Sequence, residues 1–183
     1  MKKIFVFMNV SLDGYFEGPG HDISGFTKDY EAFSSRPDQE IDTLLWGHKT
    51  YDMMKFWSTP QGEETAPEIA KFMNERLKLV ASHTPFEPGW RNVRVISGDV
   101  VGEVRRIKEQ PGGNIIIFGS NTLCVSLMQV GLIDELQIVV NPVVFGEGTP
   151  LLKGLPEKTE LTLLETRRFK SGAVLLAYQP GVK

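Results

Sequence analysis

At 183 residues, 41% hydrophobic and 23% charged, the chain fits one globular domain spanning 1–183 with a full core. A net charge of −3 leaves no basic surface to argue for a nucleic-acid partner. A single cysteine, Cys124, excludes an intrachain disulfide and a thiolate metal cluster, and His21, His48 and His83 lack metal-ligand spacing, so no metal is expected.

Lys2-Lys3 before Ile4–Met8 mimics a secretory leader, but the apolar run is too short and Asn9, Ser11 and Asp13 interrupt its continuation. No segment approaches a membrane span, and the expected location is the cytoplasm.

Lys3–Val10 reads as a buried strand. Ser11–Gly20 follows with three glycines and a proline and predicts a loop. A loop leaving the end of a central strand is where a cover over a site would sit, although Asp13-Gly14 equally suits a plain turn. Phe26–Ser35 has weak helical character. Thr43–Trp46 is a second apolar strand, ended by Gly47, after which His48–Met54 turns helical. His48 and Lys49 thereby add positive charge at a helix start, where free amide donors favour an anion. An exposed surface pair is the competing reading of these two residues.

Ser58–Thr65 is polar, with Pro60, Gly62, Glu63 and Glu64, and predicts a surface loop. Ala66–Arg76 predicts a helix with Pro67 in its first turn. Leu77–Ala81 is a strand closed by Ser82-His83-Thr84-Pro85, another polar strand end. Val93–Ile96 makes a short strand. Asp99–Gln110 predicts a helix with Val100, Val101, Val104 and Ile107 on one face and Arg105, Arg106 and Lys108 on a solvated one.

The most informative stretch is Gly112–Met128. A glycine pair precedes Ile115–Phe118, a run too short for a helix and rich in β-branched residues, which marks a strand buried on both faces. Gly119 ends it, Ser120 and Asn121 suit a helix N-cap, and Leu123, Leu127 and Val130 recur at helical spacing. Gly131 suits the helix end, and Leu136–Val140 is the next strand, reached by an expected right-handed parallel crossover. Gly119, Ser120, Asn121 and Thr122 form a candidate anion cradle, because a helix start at a strand end presents free amide donors. A tight turn with no ligand uses the same residues.

Asp134 and Glu135 are adjacent on a strand and point to opposite faces, so they read as structural. Asn141–Pro150 is a loop of turn formers, and Thr159–Phe169 with Ala173–Gln179 predicts an antiparallel hairpin around Ser171-Gly172.

The succession Ser11-Leu12-Asp13-Gly14, Leu45–Tyr51, Leu79-Val80-Ala81-Ser82, Ile117-Phe118-Gly119-Ser120, Gly131–Leu136 and Asn141-Pro142 to Gly148 resembles the dihydrofolate reductase-like fold. Its nearest branch is the one containing the reductase domain of riboflavin biosynthesis. The resemblance covers nearly the whole chain. It implies an α/β fold with a mainly parallel central sheet, flanking helices and a C-terminal antiparallel hairpin.

The resemblance also implies NADPH as cofactor. Gly47, Lys49 and Thr50 would meet its phosphates, Ser82 and His83 would lie beside the adenosine 2′-phosphate, and Gly119, Ser120, Asn121 and Thr122 would hold the pyrophosphate. The backbone around Val10, Ser11 and Gly14 would flank the nicotinamide. His48 stands where members of the family often carry an arginine, which bears on the preference for NADPH over NADH. Hydride transfer to a pterin-like or pyrimidine-like small molecule needs a proton, for which Asp13, Asp29 and Glu31 are the candidates. The alternatives are a non-catalytic NADP(H)-binding module and an α/β domain whose glycines are purely structural. Family resemblance further implies a homodimer.

Overall fold

The computed structural model describes residues 1–26 and 40–181. In chain order the elements are β1 (Ile4–Ser11), β2 (Tyr15–Glu17), β3 (Ile41–Gly47), α1 (His48–Met54), α2 (Pro60–Thr65), α3 (Pro67–Glu75), β4 (Leu77–Ala81), β5 (Val93–Ile96), α4 (Val100–Glu109) and β6 (Asn114–Phe118). They continue with α5 (Asn121–Gln129), β7 (Glu135–Asn141), β8 (Thr149–Pro150), β9 (Leu161–Arg168) and β10 (Val174–Pro180). The chain divides into two compact units. One comprises Met1–Lys3 with the described part of Asp38–Ser120, the other the described parts of Ile4–Pro37 and Asn121–Lys183.

In the first unit four parallel strands run in the order β5-β4-β3-β6. Parallel strands are covered on both faces, which explains why Leu44, Leu45 and Trp46 of β3 and Ile115–Phe118 of β6 are continuously apolar and buried. Helix α3 buries Ile69, Ala70 and Met73 on one stripe, and α4 buries Val104 and Ile107. Each of these Ile, Met and Val side chains contributes roughly 1.5–3 kcal/mol of apolar burial. Lys108 is buried as well, against the expectation of a solvated face, because it lies one turn beyond Val104 on the same stripe.

The start of this unit is fastened by a buried cation. Lys2 Nζ donates to both carboxylate oxygens of Asp42 at 2.8 Å and to the Gly113 carbonyl at 2.7 Å, while Gly113 N and Thr43 Oγ1 donate to the same carboxylate. A Cβ on Gly113 would stand 2.6 Å from the Glu40 carbonyl, and one on Gly112 within 2.9 Å of the Lys2–Asp42 pair. The glycine pair therefore serves close packing.

Residues 60–65 are helical where the sequence suggests a loop. Pro60 occupies the first turn, where its missing N–H costs nothing, and Thr59 Oγ1 accepts from Gly62 N at 3.2 Å as the cap.

In the second unit β1 pairs in parallel with β7, which continues antiparallel to β10 and then β9. The predicted C-terminal hairpin is present. The stretch read as a loop after β1 contains β2, which pairs with β8 from the 141–150 loop. Both segments are rich in turn formers, and only their mutual pairing makes them strands. Asp134 accepts from Ile4 N at 2.7 Å and Glu135 accepts from Gln137 Nε2 at 2.9 Å, the structural roles expected of them. Cys124 is fully buried, and burial pushes its thiol up, away from reactivity. The expected weak helix over 26–35, with Asp29 and Glu31, lies outside the described residues except for Phe26.

Candidate functional site

The parallel register of the first unit (Gly47 opposite Ala81, Leu45 opposite Ile117) brings the carboxyl ends of β3, β4 and β6 to one edge. Gly47, Ser82 and Gly119 therefore mark one border, the side on which open α/β sheets bind ligands. Sequence separations of 35 and 37 residues between these positions are erased by the crossovers.

Two side chains tie the three strand ends together. Ser120 Oγ accepts from Gly47 N at 2.9 Å and donates to Thr50 Oγ1 at 2.9 Å. Gly119 and Ser120 both have left-handed backbones, φ 62° and 55°, the price of turning sharply enough to aim Ser120 at the neighbouring strand end. Ser82 Oγ lies 3.2 Å from His48 Nδ1 and donates to the Thr84 carbonyl at 2.6 Å.

Helix α1 begins at His48 after Gly47, which has no side chain to cap the first-turn amides, and has no acid in its first turn. His48 is half-buried and Lys49 exposed. Two basic side chains, the Thr50 hydroxyl and an uncapped first turn make a donor set suited to a phosphate-bearing group. Three residues expected to touch such a group directly have other primary partners. The Gly47 amide and Ser120 hydroxyl are engaged with each other, and Ser82 is buried behind His48. His83 is exposed on the following turn.

Sequence reasoning passed over Phe86 and Asp52. Phe86 stacks on the His48 ring with centroids 4.0 Å apart and planes 15° from parallel. Asp52 Oδ2 stands 3.8 Å from His48 Nε2. The i,i+4 spacing of His48 and Asp52 on a helix was a legible signal, whereas Phe86 arrives from a distant turn and left none.

The remaining candidates belong to the second unit. Val10 and Ser11 are buried at the end of β1, with Ser11 Oγ accepting from Tyr15 N at 2.9 Å. Gly14 takes φ 91° and its carbonyl accepts from Leu151 N at 3.0 Å. Asn121 does not present its side chain as a free cradle: Oδ1 accepts from Leu152 N at 2.6 Å and Nδ2 donates to the Pro150 carbonyl. Thr122 is exposed on the first turn of α5.

Asp13 is held by backbone amides of the 141–150 loop. Its carboxylate accepts from Phe145 N at 3.2 Å and Gly146 N at 2.7 Å, and Leu12 N donates to the Val143 carbonyl alongside. The Ser11 hydroxyl, then the Gly146 and Phe145 amides, hold this carboxyl below the usual range. Its geometry is that of a clamp between two loops. Among the described residues no group of histidine, cysteine and carboxylate side chains could hold a metal ion.

With parallel pairing predominant in the sheet, polar strand ends on one border and a closing antiparallel hairpin, the protein is a mixed α/β protein with a mostly parallel central sheet, of the dihydrofolate reductase-like type. The chain belongs to the RibD C-terminal domain family, whose model matches residues 2–175. It is 29% identical over 178 residues to the uncharacterised protein YyaP of Bacillus subtilis, a match covering 97% of this chain and 94% of that one. Its fold is similar to that of a proposed riboflavin biosynthesis protein from Shewanella sp. PV-4, with TM-score 0.74 and 18% identity over 98% of this chain and 99% of that one. It is similar also to dihydrofolate reductase from Enterococcus faecalis, solved with NADP(H), with TM-score 0.64 and 14% identity over 98% and 97% of the two chains.

Proposed function

We propose that the protein is an NADPH-dependent reductase that transfers a hydride to a C=N or C=O bond of a pterin-like or pyrimidine-like small molecule. The observation that carries this reading is the clustering of His48, Lys49 and Thr50 at one sheet edge, in a chain whose family match runs almost end to end. NADPH would supply the hydride; the chain's part is to hold the cofactor and exclude water. His48, Lys49 and Thr50 would receive its phosphates, joined by donors of the Gly119–Thr122 turn. The backbone of Val10, Ser11 and Gly14 would border the nicotinamide. The proton would come from a bound water or from one of the carboxyl candidates Asp13, Asp29 and Glu31.

Titration with NADPH and NADH, followed by tryptophan fluorescence and calorimetry, tests the cofactor. Loss of NADPH absorbance with a panel of pterins and pyrimidines tests turnover. Absence of binding of either nucleotide rejects the proposal. The Asp13 clamp favours one alternative, an NADP(H)-binding module without turnover, which predicts binding but no oxidation across the panel. The working context of the proposed enzyme is the cytoplasm, acting as a homodimer on a small molecule. The described helices include none long and apolar enough to cross a membrane.

A further inference from the structure

Asp13 is the only aspartate or asparagine in the chain that precedes a glycine. Such a pair is chemically labile. With no side chain at Gly14 to shield it, the Gly14 backbone nitrogen can attack the Asp13 side-chain carboxyl. The bond from Gly14 N to Asp13 Cγ forms, and the Cγ–OH bond of the protonated acid breaks. The hydroxyl leaves with the amide hydrogen as water, and a five-membered succinimide closes. Water then adds back, and opening at the main-chain carbonyl leaves the backbone running through Cγ as isoaspartate. No oxidant or other co-reactant is needed, and both residues are exposed to solvent.

Each reacting group is nevertheless held in another bond. The nucleophile, Gly14 N, donates to the Ser11 carbonyl at 3.0 Å and closes the Ser11–Gly14 turn. The electrophile is engaged at both oxygens, Oδ1 by Phe145 N at 3.2 Å and Oδ2 by Gly146 N at 2.7 Å. The Ser11 hydroxyl and these two amides favour the charged carboxylate, the form that cannot lose water. The flanking backbone is fastened as well. Leu12 N donates to the Val143 carbonyl at 2.8 Å, Tyr15 N to Ser11 Oγ at 2.9 Å and Leu151 N to the Gly14 carbonyl at 3.0 Å. Turning the Asp13-Gly14 peptide toward the carboxyl therefore requires several of these contacts to open together.

We propose that Asp13-Gly14 is a modification site, a latent isoaspartate position that the contacts of the Ser11–Tyr15 turn with the 141–150 loop keep closed. Ring closure proceeds from the opened loop only, and it locks itself. The extra backbone methylene of isoaspartate moves the free carboxyl away from Phe145 and Gly146, so the clamp does not re-form. The pairing of Tyr15 with Pro150 begins two residues further on and loses its anchor with it. The isomerised chain carries a free main-chain carboxyl at position 13, the group that isoaspartyl methyltransferases esterify. This chemistry is independent of the cofactor reading.

The test holds the full chain at mildly acidic pH, native and, in parallel, unfolded in urea. Isoaspartate at position 13 is read by peptide mapping and by methyl transfer from labelled S-adenosylmethionine. The native wild type is expected to isomerise more slowly than the unfolded chain by about tenfold or more, the factor that one or two net hydrogen bonds supply. Ser11→Ala removes the hydroxyl and leaves the Asp-Gly pair intact; checked as folded by circular dichroism, it is expected to isomerise faster than the wild type. In the isomerised fraction of the wild type, separated by chromatography and returned to native buffer, the Phe145 and Gly146 amides are expected to exchange faster than in the unmodified chain. Equal rates in native and unfolded chains, no isoaspartate in the unfolded chain, a folded Ser11→Ala no faster than wild type, or unchanged exchange at those two amides would each overturn the inference. Should Ser11→Ala not fold, the wild-type comparisons decide by themselves.

Discussion

Lys78 offers the sharpest test of the energetics. It is fully buried on β4, and its ammonium donates to the Met73 and Arg76 carbonyls at 2.7 Å and to that of Asn74 at 3.4 Å, closing the C-terminal end of α3. The Trp90 ring lies 4.7 Å from Nζ. Desolvation first, and the charge of Arg91 second, push its pKa from 10.5 down to about 8. Below pH 8 both folded and unfolded chains carry the proton, so the full cost of burying the charge is present. Between pH 8 and 10.5 the unfolded chain keeps a proton that the folded chain has released, and stability rises by ~1.4 kcal/mol per pH unit. The whole window is worth about 3 kcal/mol. Urea denaturation of wild type and Lys78→Met across this range isolates the effect, because all other titrating groups cancel in the difference. The wild type is expected to gain about 3 kcal/mol relative to the variant as pH rises. A difference that stays flat or falls would refute the reasoning. It would show that the three carbonyls hold the charged form more strongly than burial disfavours it.

Three further predictions follow from single contacts. Asp42→Asn removes the counter-charge of buried Lys2 and is expected to cost about 1–2 kcal/mol in chemical denaturation, moderated by the partial exposure of the carboxylate. Desolvation raises the Asp42 pKa, but Lys2, the Thr43 hydroxyl and the Gly113 amide together hold it down, so the wild type's advantage is lost as pH falls through the folded-state value; an acid-independent difference would refute this. Gly62→Ala puts a Cβ 2.3 Å from the Phe56 carbonyl and is expected to destabilise the fold by about 1–3 kcal/mol, and so to lower the melting temperature, despite alanine's better helix propensity. An unchanged melting temperature would mean that the turn before α2 relaxes freely. Asp13→Asn weakens the clamp on Phe145 and Gly146, and faster amide exchange at those two residues is the expected outcome. If Asp13 also donates the proton, turnover falls with NADPH affinity intact.

The sequence made most of the elements legible because their signals are local. Ile115–Phe118 reads as a doubly covered strand and is one, the helix expected from Asp99 starts there with Asp99 accepting from Gly102 N, and Gly131 ends α5 with φ 67°. The weaker signals failed where a partner far along the chain decides the outcome. Tyr15–Glu17 lies inside a stretch of turn formers and is a strand through pairing with Thr149–Pro150; Lys108 looked solvated and is buried.

The candidate site divides along the same line. By itself the sequence determined that glycine-ended strands precede helix starts at Gly47 and Gly119, and that Ser82 closes a third strand, because strand termination and helix initiation are written in neighbouring residues. Only the tertiary structure decided that these three ends share one edge, that Ser120 bonds Gly47 rather than a free ligand, and that Asp13 clamps a loop. It alone placed Ser82 behind His48 and Phe86 against it. Hydrogen-bond partners separated by 34, 73 and 132 residues are chosen by parallel register and chain crossing, which no local pattern encodes.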